Sequence, residues 1–382
     1  MSEVRLASII INNYNYGRFL DEAIRSACEQ TYQPTEVIVV DDGSIDDSRA
    51  VIARYAGSVV PVLKENGGQA SALNAGFAAS RGEVVVFLDA DDTLLPDALS
   101  STVPLLADSA VAKVHWPLQV IDVAGRPTGR LVPKGLLPDG DFRELVRRAG
   151  SACVNSPPTT GNAWSRWFLE RVLPIPEQEH RISADAYLFG LAPALGLVRR
   201  SDRSLGCYRV HGTNYYCGKS FEEHLDVGCR VEQEQWRVLR QYQEARGVIT
   251  DPACWQAHSW FHQLRTALEE IRSCVPPNSS LILIDEDRWA ASELGRGCRC
   301  VPFPEREGEY AGRPPDDRQA VIELQRLCRK GAEFAVVTWS AFWWLDHYPG
   351  LGDYLSTFRR PVATERVMVF DLRNGHDVEL PT

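Results

Sequence analysis

The sequence of 382 residues lacks any apolar run long enough to cross a bilayer, and its longest apolar segments have the length of buried strands. The first residues, Met1–Arg5, also lack the long apolar core of a secretion signal, and the first apolar run ends at Asn12. We therefore expect a cytoplasmic protein without a transmembrane segment.

The sequence is also short of positive charge and of cysteines in metal-binding patterns. Its 41 lysines and arginines face 51 aspartates and glutamates, which gives a net charge of −10. We predict no nucleic-acid partner, because proteins that bind nucleic acid present basic surfaces to phosphate. The ten cysteines are scattered, with Cys298 and Cys300 as an isolated pair. We expect reduced, buried thiols rather than a metal site.

Apolar, β-branched runs alternate with helical patterns over the first ninety residues. The predicted strands are Val4–Ile11, Glu36–Val40, Val59–Lys64 and Glu83–Leu88, and the predicted helices are Phe19–Glu29, Ser48–Tyr55 and Gln69–Ser80. This alternation, with nearly continuous apolar strands, predicts a mostly parallel, doubly wound α/β sheet.

The length suits two domains, and the pattern changes along the chain accordingly. Residues Phe221–Arg272 are helical and charged, in two segments that separate near Asp251, and Val275–Asn278 is typical of a linker. Strand and helix patterns then resume. We predict an N-terminal domain over 1–217, a helical connecting segment over 218–274 and a smaller α/β domain over 275–382.

Three apolar strands end in polar residues, where open parallel sheets bind their ligands. These polar breaks are Asn12–Asn15, Asp41–Ser44 and Asp89–Asp92. A carboxylate in the second break suits the ring N–H of uracil or guanine, although Asp-Asp-Gly-Ser is also a common turn. The third break carries three carboxylates, which suit Mg²⁺ or Mn²⁺ and a diphosphate, or else form a solvated turn.

The order of motifs along some two hundred residues resembles that of family 2 glycosyltransferases. The motifs are Ser8–Asn15, Val39–Ser44, Glu65–Gly68, Asn74–Gly76, Gly82–Asp92, Gly161–Ala163, Ala184–Asp185 and Tyr208–Asn214. The resemblance implies a GT-A fold and transfer of a sugar from a nucleotide-sugar donor, with a UDP-sugar favoured. It also implies assistance by Mn²⁺ or Mg²⁺, and an acceptor that is a saccharide, a lipid carrier or a small molecule.

Roles for individual residues follow from the resemblance alone. Asp42, with Asp41, Asn12 and Tyr14, matches the region that binds the nucleoside, and Asn74 matches a residue that lines the nucleotide pocket.

The metal and the reaction are assigned by the same resemblance. Asp89 and Asp91 match the Asp-x-Asp motif that holds the ribose and the metal, and Asp92 is a candidate to share that role. His211 matches a late histidine that completes the metal site. Asp185 matches the catalytic base of inverting enzymes, which accepts a proton from the acceptor hydroxyl.

Each role has a structural alternative. His211 alone is typical of a loop histidine, and Asp185 is also suited to cap a helix that begins at Ala186. Trp164 is a candidate to stack on an acceptor sugar, or else a core residue. Many relatives carry an acidic residue where this chain has Ala184, which leaves the assignment of the base open.

Two other functions stay open at this point. A nucleotidyltransferase would share the fold and the metal, but it should have a Gly-rich basic loop where this chain has Asn12–Asn15. The second open function is that of a catalytically silent protein that binds nucleotide sugars. The C-terminal segment contains no Gly-rich phosphate loop, so we predict no cofactor there, and the run Asp285–Asp287 is expected to be a solvated turn.

Overall fold

The computed structural model describes residues 5–212, 214, 220–289, 294 and 296–373. Contacts between Cα atoms divide the chain into two compact units. The N-terminal unit comprises the described residues of 1–218 together with Arg230–Ser259. The C-terminal unit comprises those of 219–229 and 260–382.

The N-terminal unit contains eleven strands among its described residues. They are β1 (Ala7–Asn13), β2 (Thr35–Asp42), β3 (Val60–Lys64), β4 (Val84–Asp89), β5 (Thr93–Leu94), β6 (Val111–His115), β7 (Leu118–Ile121), β8 (Pro127–Val132), β9 (Asn162–Ser165), β10 (Leu197–Arg200) and β11 (Gly206–Arg209). Seven of these strands form one sheet in the order β10-β6-β9-β4-β1-β2-β3, and β5-β11-β7-β8 form a second.

The large sheet is parallel except at one strand. Strands β4, β1, β2 and β3 run parallel to one another, β6 and β10 are also parallel, and β9 lies antiparallel between β4 and β6. The ends of β1, β2 and β4 therefore meet at one edge, with Asn12 paired to both Val40 and Asp89. This edge carries all three polar breaks.

Helices cover both faces of this sheet, because successive side chains of a strand point to opposite faces. Ile9 and Ile11 belong to one core cluster with Leu20 of the first helix, whereas Ile10 belongs to another with Leu73 of the third. The helices of this region are α1 (Gly17–Cys28), α2 (Ser48–Ala53), α3 (Gln69–Ala79), α4 (Ala98–Thr102), α5 (Arg143–Ala149), α6 (Arg166–Val172) and α7 (Ala184–Leu195).

Three further helices follow, where the sequence predicted two segments. They are α8 (Phe221–Glu244), α9 (Pro252–His258) and α10 (Trp260–Cys274). The predicted break at Asp251 is present, and Asp251 caps α9 by accepting the N–H groups of Ala253 and Cys254. Ser259 makes the second break.

The C-terminal unit has a sheet of its own in the order β13-β12-β16-β18-β17. Its elements are β12 (Ser280–Ile284), β13 (Arg299–Pro302), β14 (Glu305–Arg306), β15 (Glu309–Tyr310), α11 (Asp317–Arg329), β16 (Phe334–Thr338), α12 (Trp343–His347), α13 (Pro349–Ser356), β17 (Arg359–Ala363) and β18 (Val367–Asp371). Strands β13, β12 and β16 are parallel, and β18 is antiparallel to β16 and β17.

The structure confirms the predicted fold class, a mostly parallel α/β sheet followed by helices and a second, smaller α/β sheet. No helix among the described residues is long and apolar enough to cross a membrane. Part of the predicted connecting segment 218–274 belongs to each unit. The predicted boundary between 217 and 218 lies outside the described residues, and the domain limits stay predictions.

Candidate active site at the carboxyl end of the large sheet

A cavity of about 600 Å³ opens where β1, β2 and β4 end. Six of the residues singled out in the sequence line it, although they come from distant parts of the chain. They are Asn12, Tyr14, Asp42, Asp89, Asp91 and Asp185.

Asp89 is the last residue of β4 and is held by two neighbours. Its Oδ1 accepts a hydrogen bond of 2.8 Å from Asn12 Nδ2, and its own N–H donates to Thr160 Oγ1 at 3.2 Å. Burial raises the pKa of Asp89 to about 7, and repulsion by Asp91 and Asp185 adds to this effect. A cation at this position would relieve that repulsion.

Asp92 serves the protein scaffold rather than the cavity. Its carboxylate is buried and accepts from Thr160 Oγ1 at 2.7 Å and from the N–H of Arg209 at 2.9 Å. Burial, followed by repulsion from Asp91 and Asp89, raises the pKa of Asp92 well above its usual range. The residue is not among those that line the cavity, and its hydrogen bonds favour a structural role.

The structure brings Asp91 and His211 together, although 120 residues separate them in the sequence. His211 Nε2 lies 2.9 Å from Asp91 Oδ2, and Asn214 Nδ2 approaches the same oxygen at 3.5 Å. The imidazole also packs on the rings of Tyr16 and Phe19. A carboxylate and an imidazole that converge in this way form the start of a site for a divalent cation.

A second group of metal-ligand types lies elsewhere in the N-terminal unit. Glu179, His180 and Glu234 place their ligand atoms within 4.8 Å of one another. Arg237, however, forms ion pairs with both Glu179 and Glu234. Because the guanidinium already pairs with both carboxylates, we interpret this group as an ion-pair cluster.

Asp42 holds a loop beside the cavity. Its carboxylate accepts from Lys64 Nζ at 2.6 Å, from Asn66 Nδ2 at 3.1 Å and from the N–H groups of Gly67 and Gly68 at 3.0 and 2.7 Å. These donors occupy both carboxylate oxygens. The geometry therefore favours a structural role for the carboxylate, which shapes the wall of the cavity.

Gly68 is required at this wall for two reasons. Its φ of 89° lies in the left-handed region, and a Cβ there would lie 2.6 Å from the carbonyl oxygen of Arg181. That carbonyl accepts the N–H of Gln69, the first residue of α3. Arg181 also lines the cavity and donates to Asn66 Oδ1, so the loop and the segment before α7 are joined at this point.

Asp41 lies behind this wall. It is fully buried and accepts from Arg49 Nε at 2.8 Å and from Asn13 Nδ2 at 3.1 Å. It is not among the residues that line the cavity, and its hydrogen bonds favour a structural role. Tyr14, by contrast, lines the cavity with 47% of its surface exposed, and this leaves a ring face available to a ligand.

Two further candidate residues, Asn74 and Trp164, are not among those that line the cavity. Asn74 is turned towards the segment before α7, where it donates to the carbonyl of Ile175 at 2.9 Å and accepts its N–H at 2.8 Å, and it does not line the cavity. Trp164 is 1% exposed and stacks on Phe168 and Phe189 in the core. A ring enclosed in this way has no face to offer to an acceptor sugar.

Asp185 lies in the first turn of α7, which begins one residue before it. Its Oδ2 accepts from Thr159 Oγ1 at 3.1 Å, and its Oδ1 accepts the N–H of Ala186 at 2.9 Å. Burial raises the pKa of Asp185, while these hydrogen bonds and the charge of Lys113 oppose the rise. The capping alternative is wrong in detail, since Ser183 is the residue that precedes the helix.

The cavity wall is strongly acidic. Four carboxylates line it, from Asp42, Asp89, Asp91 and Asp185, and Arg181 is the one basic side chain among its described lining residues. A diphosphate would be repelled by such a wall unless a cation accompanied it. Thr159, Arg181 and Asn214 complete the lining near these groups. The sequence analysis assigned no role to these three residues, although Asn214 ends the motif that contains His211.

Comparison with known proteins shows which family the N-terminal part of the chain resembles. Residues 8–159 match the model of the family described as glycosyl transferase family 2. An uncharacterized glycosyltransferase of Nostoc sp. is 39% identical over 212 residues, which cover 54% of this chain and 65% of the relative. An undecaprenyl-phosphate 4-deoxy-4-formamido-L-arabinose transferase of Pseudomonas syringae is 31% identical over 203 residues, which cover 46% of this chain and 60% of the relative.

The chain therefore spans less than two thirds of the length of both relatives. Among solved structures, a mannosyltransferase of Pyrobaculum calidifontis in complex with GDP-Man and Mn²⁺ is 20% identical. It matches with a TM-score of 0.46 over 72% of this chain and 77% of that chain.

Proposed function

We propose that the chain transfers a sugar from a nucleotide-sugar donor to an acceptor hydroxyl group, because residues 8–159 match the model of glycosyl transferase family 2. We favour a UDP-sugar as the donor. The acceptor is a saccharide, a lipid carrier or a small molecule. The observation that supports this proposal best is the convergence of Asp89, Asp91 and Asp185 on one cavity at the strand ends.

A divalent cation fits the residues at this site. Asp91 and His211 offer an oxygen and a nitrogen ligand 2.9 Å apart, and Asp89 ends β4 two residues before Asp91. We propose that these residues hold Mn²⁺ or Mg²⁺ with the donor. When bound, such an ion supplies positive charge to the diphosphate leaving group.

The nucleoside part of the donor would lie along the wall made by Asn12, Tyr14 and the loop that Asp42 holds. The exposed ring of Tyr14 suits stacking on a base, and Arg181 suits an anionic group of the donor. The fixed Asn66–Gly68 loop would keep this wall in place before the donor arrives, which lowers the entropy lost on binding.

Asp185 is proposed as the general base. As the acceptor oxygen attacks the anomeric carbon, a C–O bond forms there and the proton passes to a carboxylate oxygen of Asp185. The bond from the anomeric carbon to the diphosphate oxygen breaks, and its electron pair leaves with the nucleotide. Attack from the face opposite the nucleotide would invert the configuration of the sugar.

A panel of nucleotide sugars tests this function. We expect one donor, with UDP-sugars tried first, to raise the melting temperature of the protein in MnCl₂ and much less in EDTA, because a ligand that binds only the native state stabilises it. Mass spectrometry should then detect release of the nucleoside diphosphate from that donor. If a donor binds with metal but no nucleotide is released with any acceptor offered, water included, the protein is a binding protein and not a transferase.

A further inference from the structure

Lys113 is a buried lysine that belongs to none of the motifs described above. It is the third residue of β6 and is 1% exposed, between Trp164 of β9 and Val198 of β10. Burial lowers the pKa of its ammonium group to about 7. Lysine is rarely buried to this extent without a partner, because an ammonium loses its hydration there.

The neighbours of the ammonium are the two segments that also hold Asp185. Lys113 Nζ donates to Ser156 Oγ at 2.7 Å and lies 4.8 Å from the centre of the Phe189 ring. Phe189 follows Asp185 by one helical turn on α7. Ser156 precedes, by three residues, the Thr159 hydroxyl that donates to Asp185 Oδ2. The ammonium group therefore contacts the two segments that carry Asp185 and its hydrogen-bond donor Thr159.

Lys113 is a cation whose charge acts on Asp185. Each of the two charges shifts the pKa of the other towards its charged form. Asp89 repels Asp185 from β4, and Asp91 in turn repels Asp89. His115, on the same strand as Lys113, is neutral because burial, and then the charge of Lys113, lowers its pKa to about 3.

We propose that Lys113 is a positioning residue that keeps Asp185 in its ionised, proton-accepting form. It does so through its positive charge, which the hydrogen bond to Ser156 holds beside the segment that leads to Thr159. This inference rests on the function proposed above, in which Asp185 is the general base. Lys113 itself does not line the cavity and is not expected to touch the substrates.

The proposal predicts an effect that depends on pH. Lys113 is charged below about pH 7 and neutral well above it. Its loss should therefore impair the reaction at acidic pH, where Asp185 needs a counter-charge to stay ionised, and should leave the rate unchanged at alkaline pH. One nearby opposite charge typically changes the pKa of a carboxylate by about one pH unit or more, which corresponds to about a tenfold loss of kcat on the acidic side.

The test compares Lys113→Met in the full chain with the wild type from pH 5.5 to 8.5. Turnover of the donor found in the nucleotide-sugar panel is measured in MnCl₂, with Lys330→Met as a control because Lys330 is an exposed lysine of the C-terminal unit. We expect kcat of Lys113→Met to fall about tenfold at pH 5.5 and to equal that of the wild type at pH 8.5, with an unchanged KM for the donor. A loss that is equal at every pH, or no loss, would overturn the proposal.

Ser156→Ala keeps the test decisive if Lys113→Met does not fold, as judged by circular dichroism. This variant leaves the ammonium in place and removes its hydrogen bond, so we expect a loss in the same direction of about threefold at pH 5.5. An unchanged profile of Ser156→Ala would then overturn the proposal. A wild type that turns over no donor at any pH would reject the proposed function, and this inference with it, whereas parallel profiles reject the role of Lys113 alone.

Discussion

Both units of the protein carry acidic residues at the carboxyl end of a parallel strand, but they use them differently. In the N-terminal unit, β4 ends at Asp89, and Asp91 follows beside the cavity. In the C-terminal unit, β12 is followed by Asp285 and Glu286. Sequence patterns alone make the two places look alike.

The difference lies in the partners of the carboxylates. Asp285 accepts the N–H groups of Trp289 and Asp287, at 2.7 and 3.1 Å. Glu286 accepts from Trp344 Nε1 at 3.0 Å and from Arg313 Nε at 2.8 Å. Donors from the protein thus satisfy this strand end, whereas the carboxylates around Asp89 repel one another. Repulsion between carboxylates is the second largest cause of the raised pKa of Asp89, whereas for Asp285 it ranks below two backbone hydrogen bonds, and this difference marks the candidate ligand site.

The largest effect should come from Asp91→Asn, which removes a charged ligand of the proposed metal. We expect turnover to fall by at least about a thousandfold, because the leaving diphosphate loses its counter-charge. EDTA should have the same effect on the wild type, and added MnCl₂ should reverse it. Asp97→Asn is the control, since Asp97 pairs with the exposed Arg203. Full turnover in EDTA would contradict a metal-dependent site.

The next effect concerns the base. Asp185→Asn keeps the size of the side chain but cannot accept the proton, so we expect kcat to fall by about a hundred- to ten-thousandfold, with little change in donor affinity. The control is Asp285→Asn, which changes a buried aspartate at the end of β12 in the C-terminal unit and should leave kcat unchanged. If the Asp185→Asn variant has the kcat of the wild type, the base lies elsewhere and the assignment of Asp185 as general base is wrong.

A smaller effect, on donor affinity, is expected from a substitution in the wall of the cavity. Gly68→Ala would place a Cβ against the carbonyl of Arg181 and should weaken donor binding about tenfold in a calorimetric titration. Gly57→Ala is the control, because Gly57 has nearly the same φ, 86°, and no described heavy atom within 4 Å of the added Cβ. Equal affinities of the two variants would show that the close approach at Gly68 does not shape the donor site.

The smallest effect concerns stability in the C-terminal unit. Burial raises the pKa of Asp285 to about 6, so its contribution to folding is full below about pH 4 and is lost as the pH rises through 6. Urea unfolding should show the wild type losing stability relative to Asp285→Asn between pH 4 and 6.5, by about 3 kcal/mol at most. A difference that does not vary with pH would mean that Asp285 is not held in a desolvated site.

Strand ends and motif order made much of this arrangement predictable. Alternating apolar runs indicated the parallel sheet, and the predicted strand Glu83–Leu88 differs by one residue at each end from β4 (Val84–Asp89). Asp89, Asp91 and Asp185 line one cavity, because parallel strands bring their ends to one edge. Their catalytic and metal-binding roles stay predictions.

The errors arose where burial and tertiary contacts decide the role of a side chain. Trp164 is enclosed by α7 and α6, and Asn74 pairs with Ile175 about a hundred residues away, which no local pattern reveals. Asp285 is buried and not a solvated turn, since Trp289 and Asp287 supply its donors. Lys113 gave one signal, a lysine inside an apolar strand, but its partners Ser156 and Phe189 are visible only in the fold.

The comparison of the two strand ends is tested most directly by nucleotide binding with one variant at each end. UDP and GDP would be titrated calorimetrically into the wild type, Asp91→Asn and Asp285→Asn, each in MnCl₂ and in EDTA. We predict that one nucleotide binds the wild type and Asp285→Asn equally well in MnCl₂, and that EDTA or Asp91→Asn weakens it by at least tenfold. Weaker binding to Asp285→Asn, with Asp91→Asn unchanged, would contradict the assignment of the donor site to the N-terminal unit.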